Sequence, residues 1–65
     1  MKFIKNIYGY DLYILNKGEC LNNGIEFPSY ALLDSACPHI DVSYAETYFC
    51  TLKECVDWAY KNRLE

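Results

Sequence analysis

The alternation of apolar and polar positions divides the chain into a β-rich N-terminal part and a helical C-terminus. Lys2 to Ile7 and Tyr10 to Leu15 are runs rich in aromatic and β-branched residues, the composition of strands. Tyr8-Gly9 between them has the length of a hairpin turn, although it is not the strong Asn-Gly signal. Asn16-Lys17-Gly18 reads as the next turn, and Glu19 to Leu21 as no more than a short edge strand. Asn22-Asn23-Gly24 is a strong turn signal, because Asn and Gly tolerate positive φ. Ile25 to Phe27 then runs into Pro28, which ends regular pairing. The middle of the chain is ambiguous. Ser29 can cap a short helix through Tyr30-Ala31-Leu32-Leu33-Asp34-Ser35-Ala36, stopped before Pro38. Ile40, Val42 and Tyr44 alternate with Asp41, Ser43 and Ala45, the period of a strand with one acidic or small face. Tyr48-Phe49-Cys50 either prolongs that strand or returns as a hairpin through Ala45-Glu46.

The C-terminal pattern is helical. Thr51-Leu52-Lys53-Glu54 is a capping box, in which the threonine hydroxyl accepts from the Glu54 amide and the Glu54 side chain reaches back to the Thr51 amide. Beyond it Leu52, Cys55, Val56, Ala59, Tyr60 and Arg63 recur at spacings of three and four, which makes one apolar stripe. Lys53, Asp57 and Lys61 stand four apart as a solvated ladder, and Lys61 and Arg63 suit the negative end of the helix dipole. Trp58 projects to the flank of the stripe. There it either covers the margin of the core or serves as a partly exposed anchor for a partner. A helix this short is marginal alone in water, so it must pack on the sheet. The expectation is one α+β domain, residues 1–65, with an antiparallel sheet of three or four strands covered by one C-terminal amphipathic helix.

Size makes this a demanding fold. Sixty-five residues bury a smaller fraction of their surface than a large domain does, but 52% of them are apolar and 17% aromatic, unlike a disordered chain. The N-terminal apolar run is broken at Lys5, Asn6, Gly9 and Asp11, so it does not read as a signal peptide, and nothing approaches a membrane span. Met-Lys at the start reads as an intact cytoplasmic N-terminus.

Charge adds an asymmetry. Between Gly18 and Leu52 the chain has no lysine or arginine, yet it carries Glu19, Glu26, Asp34, Asp41 and Glu46 in a protein of net charge −3. These acids alternate with Phe27, Tyr30, Tyr44, Tyr48 and Phe49. Direct nucleic-acid binding is disfavoured, since that affinity comes largely from Lys and Arg at phosphates. The same carboxylates could occupy the basic groove of a nucleic-acid-binding protein, or serve solubility alone. Glu19 and Glu26 flank a turn, where polar residues are expected. Asp34, Asp41 and Glu46, set among Tyr30, Tyr44 and Tyr48, are the candidate partner-binding group, with Trp58 beside them.

Four cysteines, Cys20, Cys37, Cys50 and Cys55, permit a disulfide framework. In a reducing compartment free thiols are expected instead, and Cys55 on the helix stripe suits a small buried hydrophobe. Cys37, His39, Cys50 and Cys55 offer a metal or redox site on paper, but C-x-H is tight and the spacing departs from paired zinc knuckles. A catalytic Cys–His pair needs a third orienting group and a depressed thiol pKa, and acidic surroundings push a thiol the other way. No nucleophile–base pair, phosphate loop or carboxylate constellation is recognisable. The sequence therefore predicts no enzyme, catalytic residue, cofactor or metal.

The junction Thr47-Tyr48-Phe49-Cys50-Thr51-Leu52-Lys53-Glu54-Cys55-Val56-Asp57-Trp58 resembles that of very small phage and prophage proteins. Those commonly run as a short β-meander whose last strand enters a helix through a Thr-Leu-Lys-Glu turn, with an aromatic one turn on. The resemblance covers about a fifth of the chain and transfers no site residues. It implies no activity of its own, but such proteins are often inhibitors that block a host enzyme or defence complex by surface occupancy. With the acidic residues above, the expectation is a non-enzymatic inhibitor that occludes a basic surface. Two alternatives belong to other classes: a self-associating module that forms a homodimer through Trp58 and exposed aromatics, and the small Cys/His metal or redox protein above.

Overall fold

The computed structural model of the protein describes residues 1–18 and 28–63. It is an α+β fold in which a four-stranded antiparallel sheet is followed by one C-terminal helix packed against it. The strands are β1 (Lys2–Ile7), β2 (Tyr10–Ile14), β3 (Tyr30–Asp34) and β4 (Thr47–Phe49), and they lie in the sheet in chain order. The helix α1 spans Leu52–Lys61. The expected strands at Glu19 to Leu21 and Ile25 to Phe27, and the turn between them, lie outside the described residues. Lys17 and Gly18 are helical rather than part of a tight turn.

The first hairpin closes through two residues. Tyr8 has φ 51 and Gly9 φ 92, and two positive φ values in succession match the right-handed twist of the strands they join. Asn6 braces the turn, with its Oδ1 accepting from the Gly9 amide at 3.2 Å and its Nδ2 donating to Asp11 Oδ1 at 3.0 Å. A left-handed tyrosine costs roughly 1–2 kcal/mol. Its ring meets Tyr60 edge-on at 5.5 Å, a contact worth about 0.5–1.5 kcal/mol that offsets much of that strain.

Two apolar layers flank the sheet. On one side Ile7, Tyr10, Leu12 and Leu32 pack with Cys55 and Ala59 of α1, and Tyr30, Phe49, Val56 and Trp58 close the margins. On the other side Tyr13, Ala31 and Leu33 gather Met1, Leu15, Ala45 and Tyr48. Each fully buried leucine contributes about 1.5–3 kcal/mol. β3 is therefore covered on both faces, and this overturns the expected helix at 30–36. An unbroken run such as Ala31-Leu32-Leu33 fits a doubly buried strand as well as a helix. Pairing settles the choice: Leu32 lies across from Leu12 and Thr47, and Ala31 across from Tyr13 and Tyr48.

The strand expected over Ile40 to Tyr44 is also absent. A short 3-10 turn, Val42–Tyr44, takes its place, with Asp41 as its N-cap. Local hydrogen bonding outcompetes extension here. The Asp41 Oδ1 accepts from the Ser43 amide at 3.0 Å and from its hydroxyl at 3.1 Å, the habit that makes aspartate a turn residue. β4 neither prolongs a strand over 40–44 nor pairs back through Ala45-Glu46; it pairs with β3.

The helix begins where the capping box predicts. Thr51 Oγ1 accepts from the Glu54 amide at 3.3 Å, but Glu54 Oε1 accepts from the Thr51 hydroxyl at 2.8 Å rather than from its amide. The buried stripe is narrower than expected: Cys55 and Ala59 are fully enclosed, while Leu52 and Tyr60 are exposed. At the far end Asn62 donates its backbone and side-chain N–H groups to the Trp58 carbonyl. The Tyr10 hydroxyl donates to the Asn62 carbonyl at 2.8 Å, tying α1 to β2. No described helix is long and apolar enough to cross a membrane.

Candidate functional site

Among the described residues, the connection from β3 to β4 carries the densest set of exposed side chains from the acidic stretch. It leaves β3 through a turn in which the Asp34 Oδ1 accepts from the Ala36 amide at 2.8 Å and the Cys37 amide donates to the Asp34 carbonyl at 2.9 Å. It rejoins the sheet where the Glu46 amide donates to the Leu32 carbonyl at 2.8 Å. Between these points Val42 is driven inward to 2% exposure, Ala45 packs half-buried against the layer around Tyr13, and the Tyr48 hydroxyl donates to the Val42 carbonyl. The 3-10 turn is thus pinned from below.

Its neighbours face outward. Ile40 is 69% and Tyr44 52% exposed, and His39, Asp41, Ser43 and Glu46 are exposed as well. The His39 ring stacks on Tyr44, with centroids 4.8 Å apart and planes inclined by 22°. Ser43, first through its amide and then through its hydroxyl, holds the Asp41 carboxyl below the usual carboxylate range. The segment presents two carboxylates, an aliphatic knob and an aromatic pair on a backbone fixed at both ends. Such a surface can accept guanidinium or ammonium groups and bury apolar area beside them.

The residues singled out by sequence do not form one surface. Asp41, Tyr44 and Glu46 come together on this segment. Asp34 stands at the end of β3, half-exposed, its carboxylate engaged by the turn. Tyr30 packs on the helix side of the sheet and Tyr48 on the opposite side, so these two rings never share a surface. Trp58 is half-buried and meets Tyr10 edge-on at 5.0 Å, which places it at the margin of the core. The sequence pattern put Ile40 in a strand and offered His39 only as a metal or redox ligand, so neither was expected at this surface. The signal for them was Asp41-Val42-Ser43: an aspartate two residues before a serine marks a turn, and a turn frees its apolar neighbours from the alternation of a strand.

The thiols are spread out. Cys37 is half-buried, Cys50 exposed and Cys55 enclosed under α1, each free, and Cys20 lies outside the described residues. The Cys37 thiol donates to the His39 carbonyl at 3.3 Å, not to its imidazole. Among the described residues no three His, Cys, Asp or Glu side chains are grouped to hold a metal ion. Comparison of the chain with protein families, curated proteins and solved structures finds no match to any of them.

Proposed function

We propose that this protein is a non-enzymatic binding protein whose segment 39–46 docks on a basic surface of a protein partner. One observation carries the reading. Ile40 and Tyr44, the first at 69% and the second at 52% exposure, belong to the same short segment as the exposed Asp41 and Glu46, on a backbone anchored by the buried Val42. Large apolar side chains at a rigid surface cost little entropy on binding, tyrosine supplies contact area, and carboxylates steer encounter with a cationic patch. The resemblance of the strand-to-helix junction to very small phage proteins supports a specific form of this role. In that form the protein is an inhibitor that occludes the working surface of a host enzyme or defence complex, including the basic groove of one that binds nucleic acid.

The test starts with a tagged pull-down from the native host lysate and proceeds to affinities for the partner so identified. Raising salt from about 50 to about 500 mM shortens the reach of exposed charges severalfold and is expected to weaken binding. Ile40→Ala and Tyr44→Ala are each expected to weaken it by about tenfold or more, roughly 1.4 kcal/mol, whereas Asp57→Asn, at an exposed position of α1 outside the segment, leaves it within about twofold, the range of a surface substitution away from the contact. Affinity indifferent to salt and to both apolar truncations would end this reading.

A further inference from the structure

We propose that the outer edge of β1 is a second docking site, which takes an extended acidic segment of a partner protein as a fifth strand. β1 is the terminal strand of the sheet and, among the described residues, pairs along one side only, with β2. Lys2, Phe3, Ile4, Lys5 and Asn6 are all exposed. A six-residue edge offers unpaired N–H and C=O groups to any extended chain, and strand addition is a common mode of peptide recognition. What decides the occupant is side-chain chemistry.

A bulge sets that chemistry. In an unbroken strand, residues three apart face opposite sides of the sheet. Lys2 and Lys5 do not, because Ile4 has no partner on β2: Lys2 lies across from Ile14, Phe3 across from Tyr13 and Lys5 across from Leu12. Ile14 and Leu12 are two apart and share a face, so both lysines stand on the side that carries α1, about 7 Å apart along the strand. Phe3 stands on the opposite side, its ring 5.6 Å from that of Tyr13 and 52% exposed. β1 contains no acidic residue. A shallow open depression of about 300 Å³, lined by Met1, Lys2, Ile14, Leu15 and Asn16, lies at its Lys2 end.

The complementary strand has carboxylates at alternate positions, one for each lysine, and an apolar residue between them for Phe3. A second copy of this chain is a poor occupant. Two β1 edges side by side would bring four lysines to one seam, and like charges across a strand pair are destabilising. Nor does the sequence hold any two acidic residues spaced two apart. The edge lysines therefore repel self-pairing and select an acidic strand, as edge charges do when they guard a sheet.

Three capped peptides test this against the intact, nitrogen-labelled protein by NMR titration: Glu-Val-Glu-Val-Glu, its rearrangement Glu-Glu-Glu-Val-Val, and Lys-Val-Lys-Val-Lys. The alternating acidic peptide is expected to bind about tenfold or more tighter than either of the others, with shifts and slowed amide exchange confined to β1. The exposed double substitution K2E/K5E is expected to reverse the preference toward the lysine peptide, which also demonstrates a folded variant. The proposal is overturned if the three peptides bind alike or not at all, if the shifts map away from β1, or if sedimentation reveals a dimer that K2E/K5E disrupts.

Discussion

At the scale of single residues, Cys55 has the most determinate behaviour, because it is wholly enclosed between α1 and the sheet. Burial, and secondarily the Glu54 carboxylate, push its thiol up from 9.0 to about 11. Between those values the unfolded chain has lost the proton and the folded chain has kept it. Stability therefore falls as pH rises through that window and is unaffected by this group below it. Denaturant midpoints measured from pH 8 to 11 are expected to decline more steeply for the wild type than for Cys55→Ala; equal slopes would mean the thiol does not sense the core. Tyr8 shows a second residue-scale balance. Its left-handed backbone is a local cost, and the ring contact with Tyr60 explains why an aromatic residue is tolerated where Asn or Gly would be relaxed.

At the scale of elements, α1 is fastened at both ends. Thr51 caps its start, and the Tyr10 hydroxyl holds the Asn62 carbonyl just past its last turn. Thr51→Ala is expected to cost about 1 kcal/mol, and Tyr10→Phe a similar amount, since it removes a single hydrogen bond. The sites share no partner, so the double variant should lose the sum. In a domain this small, each change lowers Tm by roughly 4–8 °C; a Tyr10→Phe protein melting with the wild type would show that the tether carries nothing. The elements legible in sequence were those specified by local chemistry. The β1–β2 hairpin announces itself by composition and a two-residue turn, and α1 by its capping box and period. β3 was not legible, because Ala31-Leu32-Leu33 has no period of its own and becomes a strand through Leu12 and Tyr13 on its neighbour. The turn at Val42–Tyr44 was misread because Ile40, Val42 and Tyr44 alternate in sequence, although only Val42 goes inward.

At the scale of the whole molecule, the sheet sorts the charges that the sequence only counts. The acid-rich stretch is partly consumed by structure: the carboxylates of Asp34 and Asp41 hold the turns that begin and shape the β3–β4 connection. Tyr30 and Tyr48 are divided between the two faces of the sheet, a separation set by strand parity, which could not be read while residue 30 was expected to start a helix. Asp41, Tyr44 and Glu46 of the candidate surface were thus visible as composition, and their assembly with His39 and Ile40 on one segment was not. The bulge in β1 was invisible for a related reason, since it exists only against the register of β2. It carries a consequence for how this chain can vary. Ile4 has no Cα partner, so a gene that lost its codon would encode a strand with Lys2, Phe3 and Lys5 still opposite Ile14, Tyr13 and Leu12. Such a deletion variant should melt within a few degrees of the parent, as the core it leaves is unchanged; unfolding would show that the extra residue is structural. A parent-like melting point would make the N-terminal edge a place where the chain can lose a residue without changing its fold.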